Sequence, residues 1–177
     1  MNTKNYLPKS KKKTLPLTKA IASTLLLLSA NNAVASDTPF KIAVIENTTA
    51  TKEIVEGKTA SGIAKLLREN TSFDTAFNLC AAYIKAKDYE KSEIACSKTI
   101  ARARRSNMSG EQAKFVKSLS YSNRGISRYL SDDVDSAIED LTRAISINDN
   151  VIAKSNLKEV KRAMAEQSTA QNEIYSD

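Results

Sequence analysis

The sequence predicts an all-α protein built from antiparallel helical hairpins. After residue 35 the chain contains one proline, Pro39, and no tryptophan, and it is rich in alanine, serine, lysine, glutamate, isoleucine and leucine. Long stretches of this composition favour helices. The segment 125–145, GISRYLSDDVDSAIEDLTRAI, has helical periodicity, and its pattern of small and apolar residues recurs 45 residues earlier. We therefore expect repeated helix–turn–helix units.

The first 35 residues have the features of a secretory signal peptide. Residues 4–19 contain six lysines and no acidic residue, an apolar run follows at 20–30, and AVA at 33–35 offers small residues for cleavage. The run is about half of the roughly 20 residues that a membrane-spanning helix needs, so no stable membrane anchor is expected. We predict cleavage after Ala35 and export to the periplasm, or alternatively release from the cell.

Removal of this segment changes the charge of the protein. The 27 basic residues fall to 21 against 20 acidic residues, so the net charge falls from +7 to +1. A nucleic-acid partner is not expected, because the only dense basic stretch is RARR at 102–105. We interpret that stretch as the solvated end of a helix.

The mature chain of 142 residues is long enough for one compact domain. We predict an extended arm or linker at 36–49, a helical repeat domain at 50–168 and a flexible polar tail at 169–177. Within the first segment, FKIAVI at 40–45 is either a strand or an extended arm that lies on the helices.

Several helix ends can be predicted from capping residues. SGEQ at 109–112 is a capping box and predicts a helix over 110–130, with the Ser109 side chain covering backbone N–H groups. Asp88 and Asp133 are predicted N-caps. SINDN at 146–150 separates this region from a last helix, whose predicted apolar face consists of Ile152, Leu157, Val160 and Met164.

The internal repeat explains a glycine inside a helix, which costs about 1 kcal/mol relative to alanine. A shift of 45 residues aligns Cys80 with Gly125, Ser92 with Ala137, Cys96 with Leu141, Asn78 with Asn123 and Asp88 with Asp133. Small residues recur where two antiparallel helices would touch. We expect Gly125 to be small because the partner helix crosses it closely at Ala137 and Leu141; the alternative is a break in the helix.

The two copies, NLCAAYIKAKDYEKSEIACSKTI (78–100) and NRGISRYLSDDVDSAIEDLTRAI (123–145), resemble the tetratricopeptide repeat. A fainter half-unit, EGKTASGIAKL, lies at 56–66. The resemblance implies hairpins stacked as a short α-solenoid. The copies are 45 residues apart, whereas the family unit has about 34. Arg128 also stands where Tyr83 supplies an aromatic residue in the first copy, so the two copies depart from the regular family pattern.

Catalytic chemistry has little support in this sequence. The chain has no histidine, which excludes histidine-based triads and most zinc sites. The acidic pairs Asp132–Asp133 and Glu139–Asp140 are adjacent in sequence, so they point in different directions on a helix and are interpreted as caps and solvated faces. Four glycines cannot form a phosphate-binding loop. We expect a non-enzymatic protein with no catalytic residues, no cofactor and no metal.

Cys80 and Cys96 lie on the predicted contact face of one hairpin, one on each helix. In an oxidising compartment they can form a disulfide that joins the two helices. Two buried free thiols that act as small apolar side chains are the alternative.

The family resemblance implies a binding or scaffold function for a protein or peptide partner. The alternative is a structural or assembly component of a larger envelope complex. The same resemblance implies that the first helices of successive units line a groove. Its wall consists of Phe77, Ala81, Ile84, Ser122, Ile126 and Tyr129, and Lys85 lies at its rim. In some relatives an asparagine binds the C-terminal carboxylate of a peptide, but Ala81 and Ile126 stand at the matching positions here. A peptide held by its C-terminal carboxylate is therefore not expected. We therefore expect an amphipathic helix or the arm at 40–45 to fill the groove, unless these residues are ordinary core.

Overall fold

A computed structural model describes residues 25–26, 38–46, 48–105 and 109–174, with the side chains of 25–26 and 170–174 left out. Helices account for 76% of the described residues, against about one third in an average soluble domain. The prediction of an all-α protein is confirmed. The helices are α1 (Thr51–Val55), α2 (Thr59–Leu66), α3 (Phe73–Lys85), α4 (Tyr89–Arg105), α5 (Gly110–Leu130), α6 (Val134–Ile147) and α7 (Val151–Ile174).

Two very short strands precede the helices. β1 (Leu25–Leu26) and β2 (Val44–Ile45) pair antiparallel, with Leu25 opposite Ile45 and Leu26 opposite Val44. β2 belongs to the segment for which the sequence left a strand and an extended arm open. Apart from β1, the predicted signal peptide lies outside the described residues.

Three tight turns of the same geometry join α1 to α2, α3 to α4 and α5 to α6. Each contains one residue with a left-handed φ: 77° at Gly57, 60° at Lys87 and 65° at Asp132. The next residue donates its backbone N–H to the carbonyl five residues earlier, at 2.8 to 3.0 Å. This is the hydrogen bond of a Schellman ending, which satisfies carbonyls at the helix C-terminus. The half-unit at 56–66 therefore contains the same turn as the two full copies.

Most of the predicted helix ends are confirmed. Asp133 accepts from the Ser136 backbone N–H at 3.3 Å, and Asp88 accepts from that of Lys91 at 3.3 Å. α5 begins and ends within the predicted range, but the Ser109 side chain makes no capping hydrogen bond, so the capping box is wrong. Gly110 follows with a left-handed φ of 76°, which directs the chain away from the geometry that a Ser109 cap requires.

The close crossing at Gly125 is confirmed. A Cβ atom built on this residue would lie 2.9 Å from Leu141 Cγ and 3.1 Å from the Ala137 carbonyl oxygen. Both distances are shorter than ordinary van der Waals contact. Glycine therefore allows α5 and α6 to pack closely, and the helix continues through this position.

The last helix continues into the segment for which the sequence predicts a flexible polar tail. α7 extends to Ile174, so residues 169–174 are helical. The segment contains neither glycine nor proline to end the helix. Arg162 also bridges Glu159 and Glu166 on its solvent face, which supports a helix by pairs three and four residues apart.

Consecutive helices pack against each other along the chain, and α1, α3, α5 and α7 also contact one another in that order. These four helices form the inner face on which the N-terminal arm lies. None of the helices in the described residues has the length and apolar character needed to cross a membrane.

Candidate functional site

A groove on the inner face holds the arm at 40–45 through three asparagines. Asn78 lies on α3, Asn123 on α5 and Asn156 on α7, and all three side chains are fully buried. Each carboxamide bonds both main-chain groups of one arm residue: Asn156 bonds Lys41, Asn123 bonds Ala43 and Asn78 bonds Ile45. We call this set the asparagine ladder.

The six hydrogen bonds of the ladder have nearly uniform lengths. Oδ1 of each asparagine accepts the arm N–H at 2.8 Å (Lys41), 2.9 Å (Ala43) and 2.8 Å (Ile45). Nδ2 donates to the carbonyl of the same residue at 2.9, 2.8 and 2.8 Å, in the same order. A carboxamide has a donor and an acceptor side by side, so it can pair with a peptide group as a neighbouring strand would.

The spacing of the bonded residues follows from the geometry of an extended chain. Alternate residues of such a chain point their peptide groups the same way. Residues 41, 43 and 45 therefore face successive helices, and the intervening residues do not take part in the ladder. The bonds involve only backbone atoms of the arm, so they read its extended shape and not its sequence.

Two of the carboxamides also donate to hydroxyl groups. Asn78 Nδ2 also donates to Thr48 Oγ1 at 2.7 Å, and Asn156 Nδ2 donates to Ser122 Oγ at 3.0 Å. A flipped amide would place its N–H donors against the arm N–H groups and its oxygen against the arm carbonyls. The ladder is therefore held in the orientation that the arm needs.

Apolar side chains of the arm cover most of the predicted groove residues. Phe40 belongs to the cluster that contains Ile84 and Ile126, and its ring packs edge-on against Tyr129 with 5.3 Å between centroids. Ile45 packs in the same hydrophobic cluster as Phe77, and Val44 packs in the same hydrophobic cluster as Ala81. Ser122 is buried and bonds Asn156. The predicted residues therefore lie together on the inner face, in a groove that the arm already occupies.

Lys85 does not form a free rim to this groove, as the sequence had suggested. Its Nζ donates to the carbonyl of Ile54, at the end of α1, at 3.1 Å. Burial lowers the pKa of Lys85, because the charged ammonium loses water that a single carbonyl replaces only in part. The residue thus links α3 to α1 instead of facing a ligand.

A disulfide joins the two helices beneath the arm. Cys80 on α3 and Cys96 on α4 are bonded, with their Cα atoms 4.8 Å apart. Both belong to the cluster that contains Phe40. Of the two states that the sequence left open, the structure has the disulfide, which fixes the α3–α4 hairpin under the groove.

A buried ion-pair network connects α4, α5 and α6. Asp140, of whose side chain only 4% is exposed, accepts from Arg124 Nε and Nη2 at 2.7 Å and from Arg128 Nη1 at 3.0 Å. Arg128 also bonds Glu93 at 2.9 and 3.0 Å. The interpretation of Asp140 as a solvated acid is wrong, because its carboxylate is buried and accepts hydrogen bonds from two arginines in place of water. Arg128 therefore has an ionic role at the position of the expected aromatic residue.

Sequence reasoning did not identify the role of the asparagines. Asn78 and Asn123 align in the repeat, which was the available signal, but no buried partner could be assigned to them. Asn156 follows Asn123 by 33 residues and so falls outside the 45-residue spacing. Polar residues on the otherwise apolar inner faces of three helices are the pattern that would have indicated a bound backbone.

Comparisons with known proteins give no identification: the chain matches no family model, no curated protein and no solved structure. Within the described residues, no cluster of three cysteine or acidic side chains could hold a metal ion.

Proposed function

We propose that this chain is an exported, non-enzymatic protein-interaction module, similar in type to the tetratricopeptide repeat, whose inner groove binds an extended protein segment. The observation that carries the proposal is the asparagine ladder. It supplies three pairs of main-chain hydrogen bonds, which is the way in which an added strand is recognised at a sheet edge. The arm at 40–45 provides the bound pose.

In this proposal the arm occupies the groove until a partner segment replaces it. The ladder accepts any extended chain, because it bonds backbone groups only. Selectivity comes from the side-chain positions, above all from the place of Phe40 against Tyr129. The groove would match a partner that has a large apolar residue at the position of Phe40 and a small residue at that of Ala43. Apolar residues would be needed at the positions of Val44 and Ile45.

The test uses a chain that folds intact and is then cut. A protease recognition sequence is inserted after Glu46, in the loop between β2 and α1, and the folded, disulfide-bonded protein is cleaved there. A fluorescein-labelled peptide of residues 36–46 is then added and its anisotropy is followed. We expect the peptide to enter the cut protein and not the uncut one, because the covalent loop keeps the local concentration of the arm high.

Peptide variants test the ladder directly. N-methylation at Ala43 removes the N–H that Asn123 accepts, whereas N-methylation at Ile42 removes one that no asparagine accepts. We expect the first to weaken binding at least tenfold more than the second. In the protein, Asn123→Asp keeps the shape but removes the donor and should weaken binding, with Asn70→Asp on the exposed surface as control.

Two results would count against the proposal. Equal loss for both methylated peptides would show that the main chain is not recognised. If the cut arm never exchanges with the labelled peptide, the arm is a permanent part of the fold and the groove is closed. That result would favour the alternative of an assembly component.

A further inference from the structure

A second concave surface lies on the outer side of the molecule, away from the ladder. It is a cleft of about 330 Å³ between the loop that follows α2 and the helices α3 and α4. Ala76 and Leu79 of α3 and Ala95 of α4 line it, and Leu67 and Ile94 lie at its mouth. The proposed binding of an extended segment does not involve this cleft.

The cleft exists because α2 is short. In the repeat, Leu79 and Tyr83 occupy the places of Arg124 and Arg128 in the next copy. In that copy the preceding helix α4, with 17 residues, covers the two arginines. Ser97 of α4 bonds Arg124, and Glu93 of α4 bonds Arg128. α2 has only eight residues, ends at Leu66 and cannot cover the equivalent surface.

The surface left open is apolar. Leu67 is 62% exposed and Ile94 is 49% exposed, and they are two of the three large apolar residues that are exposed in the described part of the chain. Alanines at positions 76 and 95 give the cleft its depth. Exposed apolar residues gathered around a concavity indicate a binding site more strongly than the same residues scattered singly.

The charged residues that line the cleft are all basic. Lys91, Lys98 and Arg102, all on α4, contribute to its lining, and none of the described lining residues is acidic. Lys91 is paired with Asp88 at 2.6 Å. Lys98 and Arg102 are four residues apart, on one face of α4, and they supply the charge available to a ligand.

We propose that this cleft binds a single-chain amphiphile with an anionic headgroup, of the fatty-acid class. The headgroup lies between Lys98 and Arg102, and the aliphatic chain follows the apolar wall formed by Leu79 and Ala95. The volume is near the lower limit of small-molecule sites, about 300 Å³, and suits one chain. A helix of about 10–12 Å diameter would require the loop at 67–72 to move away. That loop is bonded to α3 through Asn70 and Thr75 at 3.0 Å.

The experiment is calorimetric titration of the folded, disulfide-bonded protein with dodecanoate below its micelle concentration. We expect saturable binding of one molecule. Dodecanol, which has the chain without the charge, and dodecyltrimethylammonium, which has the opposite charge, should each bind at least tenfold more weakly.

Variants locate the binding. Lys98→Glu with Arg102→Glu should weaken dodecanoate binding at least tenfold, whereas Lys158→Glu with Lys161→Glu, the same charge change on the exposed face of α7, should not. Thr71→Phe, in the exposed loop, should fill the cleft and abolish binding without burying a new group in the core. Unchanged circular dichroism and Tm establish that each variant is folded.

No saturable binding, equal binding of the cationic surfactant, or full binding by the Lys98/Arg102 variant would overturn the proposal. The asparagine ladder takes no part in this titration, so its result is independent of the groove experiment.

Discussion

Gly125 gives the sharpest test at the scale of single residues, because two effects of opposite sign compete there. Glycine to alanine in an unobstructed helix stabilises by about 0.5–1 kcal/mol. Here the new Cβ would meet Leu141 Cγ at 2.9 Å and the Ala137 carbonyl at 3.1 Å, so a backbone atom would have to move. We expect Gly125→Ala to lower the free energy of unfolding by about 1–3 kcal/mol in a urea titration. A more stable variant would show that the helices do not cross at this point.

Asp140 offers a second test at the same scale, with its neighbour as a matched control. Asp140→Ala leaves the guanidinium groups of Arg124 and Arg128 without their shared carboxylate, and removal of one partner of a buried pair costs about 3–5 kcal/mol. Glu139 is exposed on the same helix, so Glu139→Ala should change stability by less than about 0.5 kcal/mol. Chemical denaturation of both variants measures the difference. Equal effects would mean that the network is not a coupled unit.

At the scale of elements, the mass of the exported protein tests two predictions together: the disulfide of the α3–α4 hairpin and the cleavage of the signal peptide. We expect an unreduced chain that begins at Ser36 and is lighter by two hydrogens than the reduced form, because Cys80 and Cys96 are bonded. Closure of a loop of this size stabilises by about 3 kcal/mol in the chain-entropy model. Reductant should therefore lower the Tm of the wild type and leave a Cys80→Ala, Cys96→Ala variant unchanged. An uncleaved signal peptide would refute cleavage after Ala35, and a missing mass difference would refute the disulfide bond.

The arm is the element that most depends on others. Its hydrogen bonds with α3, α5 and α7 come from residues 33, 80 and 115 positions away. A six-residue segment cannot hold an extended conformation by itself. The groove orders it, and the arm in turn satisfies the Oδ1 acceptors of three buried carboxamides.

At the scale of the whole molecule, α7 closes the end of the helical array. It covers α6, contacts α5 and supplies Asn156 and the buried Val160. We expect truncation after Asn150 to expose apolar surface, release the start of the arm and cause aggregation or a large fall in Tm, because terminal units of helical arrays act as caps. Truncation after residue 168 removes only the last nine residues and should leave Tm unchanged. Light scattering and thermal melting distinguish the two, and a soluble, unaltered shorter chain would contradict the capping role.

Several features of this protein follow from the sequence by itself. The range of α5, the Asp88 and Asp133 caps and the close approach at Gly125 depend on residues near in sequence or at one repeat spacing. Helix capping and helical periodicity act over a few residues, and a repeated small residue at a crossing reflects the same steric requirement in each copy. Such short-range constraints can be recognised without knowledge of the fold.

Other features were decided only by the tertiary structure. Asn78, Asn123 and Asn156 are separated by 45 and 33 residues, and only the packing of three helices brings their carboxamides to one extended segment. Asp140 is buried because α5 brings two arginines to it, and α4 supplies Ser97 and Glu93, which bond those arginines in turn. Ser109 fails as a cap because of the left-handed φ at Gly110. Hydrogen bonds and ion pairs between distant segments depend on the path of the whole chain, and a local pattern does not contain that path.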